Sequence, residues 1–304
     1  MDALTIVVSV LIALTVYLFI KFLRADADLT LLRCSLKRNF FKDKVVWVTG
    51  ASSGIGEELC RQLSTEGAKL ILSARSMDKL NALLKSLAHP ENARAYYLDI
   101  SDRESVRRAP KEVQSLFDKV DILINNAGIS MRCTFLDIEE DTARKVMEVD
   151  LLGTSFLTKG VIKTFMLQQG GGHVVNVSSI SGKFGAPTRS YYCASKFGLN
   201  GLMDVVRLEL LDKNICVTNV CPGPVKTAVS ENAMNPGGSL HGKKDPMIEN
   251  GMKVERCAEL ILIAVSNGLH EVWISHHPYL LMTYLSQWSP SLFHFLMKMY
   301  RRKN

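Results

Sequence analysis

No CxxC pair occurs anywhere in the 304-residue chain. Its seven cysteines (Cys34, Cys60, Cys133, Cys193, Cys216, Cys221 and Cys257) are odd in number and widely spread. That excludes a dithiol redox motif and zinc-type ligand spacing, and it gives no disulfide framework; no metal site is expected. Seven unpaired thiols fit a reducing compartment. Proline is scarce, and none of the nine interrupts an apolar run that reads as a strand, so central strands are allowed. Acidic residues are outnumbered, 30 against 37 Lys and Arg, for a formal net charge of +7. The excess is scattered instead of forming a stripe, which argues against nucleic acid. It thickens only after the first apolar run and at Arg301, Arg302 and Lys303, where anionic lipid explains it better. One glycosylation sequon, Asn176-Val177-Ser178, falls in a run that reads as a buried strand and is taken as chance.

Leu4 to Leu23 is almost wholly apolar. As a helix, about twenty residues span roughly 30 Å, the thickness of a bilayer core. The run lacks a basic start and a small-residue cleavage site. It begins Met1-Asp2-Ala3 and ends Phe19-Ile20-Lys21-Phe22-Leu23, which favours a retained anchor over a cleaved signal peptide. Asp2 alone carries a side-chain charge before it, whereas Lys21, Arg24, Arg33, Lys37, Arg38, Lys42 and Lys44 follow. The positive-inside rule then puts the rest of the chain in the cytosol. Residues 1–23 read as the anchor and 24–41 as a polar, basic connector.

A regular alternation follows. Short β-branched runs at Val45–Thr49, Lys69–Ala74, Arg94–Leu98, Ile122–Asn125, Val174–Ser178, Ile215–Val220 and Glu271–Ser275 read as strands. Helical patterns fill the intervals: Gly54–Glu66, Met77–Leu87, Arg103–Phe117, two helices over Asp141–Gln168, Tyr191–Leu211 and Val254–Ser266. Strict alternation implies parallel strands joined by right-handed crossovers. The expected fold class is α/β: a doubly wound, Rossmann-type, seven-stranded parallel sheet over 42–278, with helices on both faces and one transmembrane helix before it.

The first strand runs into Thr49-Gly50-Ala51-Ser52-Ser53-Gly54-Ile55-Gly56 and then a helix. Glycines permit a tight turn that approaches a pyrophosphate closely, and the helix N-terminus supplies free N–H groups. In isolation such a pattern is more often an ordinary strand-to-helix turn; after the first strand of a βαβ series it points to a nucleotide. The GxxxGxG spacing is joined by Asn125-Asn126-Ala127-Gly128 after the fourth strand. Ser179 lies thirteen residues before Tyr192, which opens Tyr192-Cys193-Ala194-Ser195-Lys196, and Cys221-Pro222-Gly223-Pro224 follows the sixth strand. In order and approximate spacing, these stretches over 42–275 resemble the short-chain dehydrogenase/reductase family. The N-terminal anchor and Glu271-Val272-Trp273-Ile274-Ser275-His276-His277-Pro278 are similar to its membrane-anchored member 7 group.

The resemblance implies a nicotinamide cofactor cradled by Gly50, Ser52, Ser53, Gly54, Ile55 and Gly56. An acid at the end of strand two would select NAD. None stands in Leu72-Ser73-Ala74-Arg75-Ser76, and Arg75 can pair with the 2′-phosphate of NADP(H); its bland role is a solvated turn residue. Asp99 resembles the adenine-contacting position, with helix capping as its ordinary use. Asn125, Ala127 and Gly128 resemble the loop beside the adenosine, and Val225 and Thr227 the contacts to the carboxamide.

Interconverting a carbonyl and an alcohol needs a group that gives and takes a proton. A tyrosine can do so if a cation lowers its pKa from about 10. Tyr192 and Lys196, four apart on a predicted helix, share a face; Tyr191 has no such lysine. The resemblance makes Lys196 also a ribose ligand and Ser179 the residue that orients the substrate oxygen. Ser178 faces the other side of its strand. One departure stands out: the family carries Asn in a Val-Asn-Leu stretch that supports a proton relay, and here it is Val149-Asp150-Leu151. An ionised Asp150 accepts hydrogen bonds but donates none. It could be tolerated, slow the relay, or mark a protein that binds NADP(H) as a membrane scaffold or sensor with little turnover.

Residues 228–253, rich in Gly, Asn, Ser, Lys and Met, read as a surface loop or a mobile lid. The tail 279–304, rich in Leu, Met, Phe, Tyr and Trp and broken at Pro290, could pack on the domain, dimerise, or lie on the bilayer. A membrane enzyme with such a tail suits a lipophilic carbonyl substrate, such as a steroid, retinoid or xenobiotic. The resemblance also implies a homodimer in the endoplasmic reticulum.

Overall fold

A computed structural model describes residues 3–303, with side chains described for 5–299. Asp2 and the basic Arg301–Lys303 end therefore fall outside the described side chains. Ala3–Leu23 (α1) is one helix. Its stretch Thr5–Leu23 has mean hydropathy 2.6, none of it buried, so it is long and apolar enough to cross a membrane.

Val45–Thr49 (β1) is buried along its whole length. An unbroken apolar run is what a strand covered on both faces requires. Gly54–Thr65 (α2), Lys69–Ala74 (β2), Met77–Ser86 (α3), Ala93–Tyr97 (β3), Arg103–Gln114 (α4) and Ile122–Asn125 (β4) complete the first half. The second half comprises Glu140–Met147 (α5), Thr154–Val161 (α6), Gly172–Val177 (β5), Ser190–Glu209 (α7), Ile215–Pro222 (β6), Pro246–Glu249 (α8), Val254–Ser266 (α9) and Glu271–Ile274 (β7). All pairings are parallel, in the order β3-β2-β1-β4-β5-β6-β7. The seven-stranded doubly wound sheet is thus as the alternation predicts, with small shifts at strand ends.

Successive side chains of β1 serve opposite faces. Val46 and Val48 join Leu59, Leu63, Leu70, Leu72, Ile261 and Val265 on one side. Val45 and Trp47 join Ile71, Leu123, Leu157, Phe165 and Met203 on the other. Trp47 anchors that layer: its indole N–H donates to Ser73 Oγ at 2.7 Å, and its ring meets Tyr96 edge-on at 6.2 Å.

The two helices expected over 141–168 are a single run. Wider π-helical turns at 148–153 and 162–166 follow α5 and α6. At Gly153 a Cβ would sit 1.9 Å from the Ile100 carbonyl oxygen, so the first wide turn lies where the helix presses on the loop after β3. Thr154 Oγ1 donates to the Val149 carbonyl at 3.1 Å, occupying an acceptor in the widened turn. Such turns gather at functional sites, and this one holds Asp150.

The tail forms Tyr279–Trp288 (α10) and Pro290–Lys303 (α11), broken at Pro290 as expected. Phe293 packs on Phe184 at a ring distance of 5.4 Å. The foot of α1 rests on the same region: Phe22 meets the rings of His277 and Tyr284 at 4.8 and 5.7 Å, and the Tyr284 hydroxyl accepts the Leu29 N–H at 3.0 Å.

The basic stretch after α1 is packed, not strung out. Ala25, Ala27, Leu31 and Phe41 are buried. Asp28 Oδ1 accepts N–H groups of Thr30 and Leu31 at 2.9 and 3.0 Å, and Oδ2 accepts that of Trp273 at 2.7 Å. Removing this carboxylate strands three N–H groups. Asp28→Ala is expected to cost about 2–3 kcal/mol, read as a lower melting temperature of the detergent-purified protein.

Candidate active site

At the point where strand order reverses, β1 and β4 lie side by side and their following loops diverge, opening a crevice. The glycine turn occupies one lip. Gly50 has φ +65°, and a Cβ there would lie 2.8 Å from Ala127 Cα, so a side chain would push the two loops apart. Thr49 Oγ1 accepts the N–H groups of Asn126 and Ala127 at 3.0 and 3.1 Å. Asn126 Nδ2 donates back to the carbonyls of Thr49 and Gly50 at 3.0 and 3.2 Å. Thr49 and Asn126 were not among the expected site residues, although both sit inside the motifs that were.

Ser53 precedes α2 without capping it, so the first N–H groups of the helix have no side-chain partner from that position. This is the usual cradle for a phosphate. Ser52 and Gly54 lie beside it, and Gly56 is buried within the first turn. A Cβ on Gly54 would be 3.1 Å from Thr227 Cγ2, which places the segment after β6 against the turn. Arg75 is exposed directly after β2. Asp99 lies within reach of its charge: burial works against the Asp99 carboxylate, but two hydrogen bonds from Ser101 at 2.9 and 2.7 Å, with Arg75 and Lys145, hold it below the usual range. These residues fit a nicotinamide dinucleotide.

Asp99 does not cap α4; Asp102 does, accepting from Glu104 and Ser105 N–H groups. Asn125 does not present its amide to the crevice. Its Nδ2 donates to Thr158 Oγ1 at 2.8 Å and Asn176 Oδ1 at 2.9 Å, within a buried ladder that continues from Asn176 to Asn219 at 3.1 Å. The side chain that reaches the turn is that of Asn126.

Across the crevice, α7 carries Tyr192 and, one turn on, buried Lys196, whose Nζ lies 5.7 Å from the Tyr192 ring centre. Lys196 donates to the Val177 carbonyl at 3.3 Å. Ser179, just past β5, accepts the Ser181 N–H at 3.0 Å and donates to the Pro222 carbonyl at 3.4 Å, which fixes its hydroxyl. Ser178 turns away to the Lys196 carbonyl at 3.5 Å. Ser179, Tyr192, Ile55, Val225 and Thr227 all border one cavity of about 1140 Å³. Its far wall comes from α10 and α11, through Met282, Leu285, Phe293 and Met297. Tyr191 instead stacks on Phe135 at 6.5 Å.

Asp150 is buried behind this group. Its Oδ1 accepts the Ile129 N–H at 2.8 Å, and Oδ2 accepts the Ser195 hydroxyl at 3.4 Å. A Cβ on Gly128 would sit 3.1 Å from Asp150 Oδ1 and 3.4 Å from Lys196 Nζ, so this bare glycine separates the two charges. Burial pushes the Asp150 carboxyl up to about 6, against the pull of Lys196 and its two hydrogen-bond donors. Buried Cys221 and Cys257 are also pushed up, to about 12, by burial, so they remain inert thiols.

Residues 44–236 match the model of the short chain dehydrogenase family. The chain belongs to the short-chain dehydrogenase/reductase family. It is 41% identical over 302 residues to dehydrogenase/reductase SDR family member 7 of Homo sapiens, covering 94% of this chain and 87% of that one. Among solved structures, an alcohol dehydrogenase from the archaeon Thermococcus sibiricus, complexed with 5-hydroxy-NADP, matches with a TM-score of 0.67 at 27% identity, over 78% of this chain and 97% of that one. A variant actinorhodin polyketide ketoreductase with NADPH matches with a TM-score of 0.59 at 35% identity, over 61% and 72% of the two chains. As a family member, this short-chain dehydrogenase/reductase is an oxidoreductase of the nicotinamide-dependent class.

The raised Asp150 pKa has a definite sign. Below the unfolded carboxylate range the group is protonated in both states and costs nothing. As pH rises through about 6 the folded protein must hold a buried charge, and stability falls. Asp150→Asn is expected to stabilise the protein, with the gain growing by about 1 kcal/mol between pH 5 and pH 8. Melting temperatures of both proteins across that range test it.

Proposed function

We propose that this protein is an NADP(H)-dependent oxidoreductase that interconverts carbonyl and alcohol groups on lipophilic substrates, with Tyr192 as the general acid and base. The observation that carries the reading is that Tyr192 and the fixed Ser179 hydroxyl border one largely apolar cavity beside the glycine turn, with Lys196 Nζ 5.7 Å from the Tyr192 ring centre. Ser179 holds the substrate oxygen, and Tyr192 gives it a proton in reduction or takes one in oxidation. Lys196, buried one turn away from Tyr192, has the reach to hold a ribose hydroxyl. The nicotinamide, when bound, supplies or accepts the hydride. Arg75 receives the 2′-phosphate, directly after a strand, β2, whose end carries no acid. Asp150 sits at the back of the lysine as a positioning residue for proton exchange. The scaffold reading rests on Asp150 alone and predicts tight NADPH binding without turnover.

The anchor reading of α1, with the catalytic domain on the cytosolic face of the endoplasmic reticulum, rests on the exposed apolar helix and the basic residues after it. Protease added to sealed microsomes is expected to digest the domain; full protection would reverse the orientation.

Turnover is measured as NADPH oxidation by the detergent-purified protein against steroid, retinoid and aromatic carbonyls. Tyr192→Phe is expected to lower kcat by about 10²–10⁴-fold with NADPH binding retained. Arg75→Glu is expected to raise the KM for NADPH by about tenfold or more and leave that for NADH little changed. Equal effects on both cofactors would remove Arg75 from phosphate recognition.

A further inference from the structure

The cavity beside Tyr192 is walled mainly by aliphatic and aromatic side chains, yet Arg132, Arg189 and, on α11, Lys298 also border it, and no Asp or Glu is among its lining residues. The two arginines come from different segments, Arg132 after the β4 loop and Arg189 before α7. Both are drawn inward, with side chains 10% and 14% exposed. They share one counter-charge: Asp245 Oδ2 lies 3.3 Å from Arg132 Nη2 and 3.1 Å from Arg189 Nη2. The other Asp245 oxygen is engaged by the Met247 N–H at 3.0 Å.

Two guanidinium charges against one carboxylate leave one positive charge uncompensated in a largely apolar enclosure. The donor inventory agrees. Arg132 Nη1 is satisfied by Ser130 Oγ and the Met131 carbonyl, both at 2.8 Å, but its buried Nε has no partner among the described residues. Burial and the Arg189 charge both act against the Arg132 cation. Holding like charges together in such a place is costly unless an anion joins them. Tyr192 lines the same cavity, so the pair and the reacting group border the same space.

We propose that Arg132 and Arg189 form a head-group subsite for an oxyanion, a carboxylate or a phosphate, carried by the carbonyl substrate itself. The substrate class is then an amphipathic keto or aldehyde acid. Its charged end pairs with the arginines, its carbonyl lies at Tyr192 and Ser179, and its apolar part runs along α10 and α11. This rests on the reductase reading and narrows it. A steroid or retinoid without an acidic group leaves the cation unanswered. The competing use of the same residues is mechanical: through Asp245 they tie the loops on one side of the cavity to the 228–253 segment.

The test uses the full-length protein in detergent, loaded with NADPH. The probes are benzoylpropionate, its methyl ester, and the phosphate monoester of the matching keto alcohol. Calorimetry measures binding and NADPH oxidation measures turnover. Binding of the acid or the phosphate is expected to exceed that of the ester by about tenfold or more, and to weaken as salt rises. Comparing the two anions identifies which the site prefers. In Arg189→Met the acid-to-ester ratio is expected to collapse, while Arg189→Lys keeps part of it. Equal affinity for acid and ester in the wild-type protein overturns the proposal, whether or not any probe is turned over. An equal loss on acid and ester in Arg189→Met also overturns it, and assigns the pair to the mechanical role. Preferential anion binding without turnover would keep the subsite and count against the reductase reading instead.

Discussion

The crevice depends on one close approach. Where β1 and β4 end side by side, Gly50 and Ala127 come so near that a single Cβ would separate them, and Thr49 and Asn126 lock the two loops with reciprocal hydrogen bonds. Everything around the crevice is placed relative to this contact. It sets where α2 begins and so where its free N–H groups point. Thr227 closes on the turn from the β6 side, and the loop after β4 carries Gly128 to the gap between Asp150 and Lys196. Hydrogen bonds to backbone, and not a mobile side-chain latch, therefore define the geometry of the cofactor half.

Polar groups inside the sheet serve the same rigidity. Asn125, Asn176 and Asn219 run across three neighbouring strands and pass one amide to the next, beside an otherwise apolar layer. A fully linked chain of this kind favours one strand register over a shifted one, because a slip would leave every amide unpaired. Asn125 Oδ1 stays unpartnered, so the ladder is not perfectly satisfied. Its position at the switch point nonetheless ties the loop that frames the crevice to the centre of the sheet.

The sheet was legible because strands buried on both faces leave short apolar runs bounded by turn residues, in regular alternation with helical patterns. The Tyr192–Lys196 pair was legible because four residues make one helical turn. Other features were hidden for physical reasons. The roles of Asn125 and Asn126 could not be told apart at a strand end, where side-chain alternation stops. The π-helical turn around Asp150 leaves no periodic trace, since a single widened turn only shifts the phase of a helix. Arg132 and Arg189 belong to no motif; two loops and one carboxylate from a third segment bring them together. The polar stretch after α1 read as a spacer, yet a handful of buried apolar residues and Asp28 fasten it to β7.

The contact between Phe22, His277 and Tyr284 joins the two ends of the chain, and its consequence lies in the order of synthesis. The sheet and the glycine turn precede α10 and α11 along the chain and emerge from the ribosome before them. The sheet and the crevice can therefore form before the outer wall of the cavity exists. Until α10 and α11 emerge, the crevice can be in place while the cavity beside it lacks its outer wall. The enclosure is therefore built after the crevice, and a chain stopped before α10 would keep the sheet without the enclosing wall.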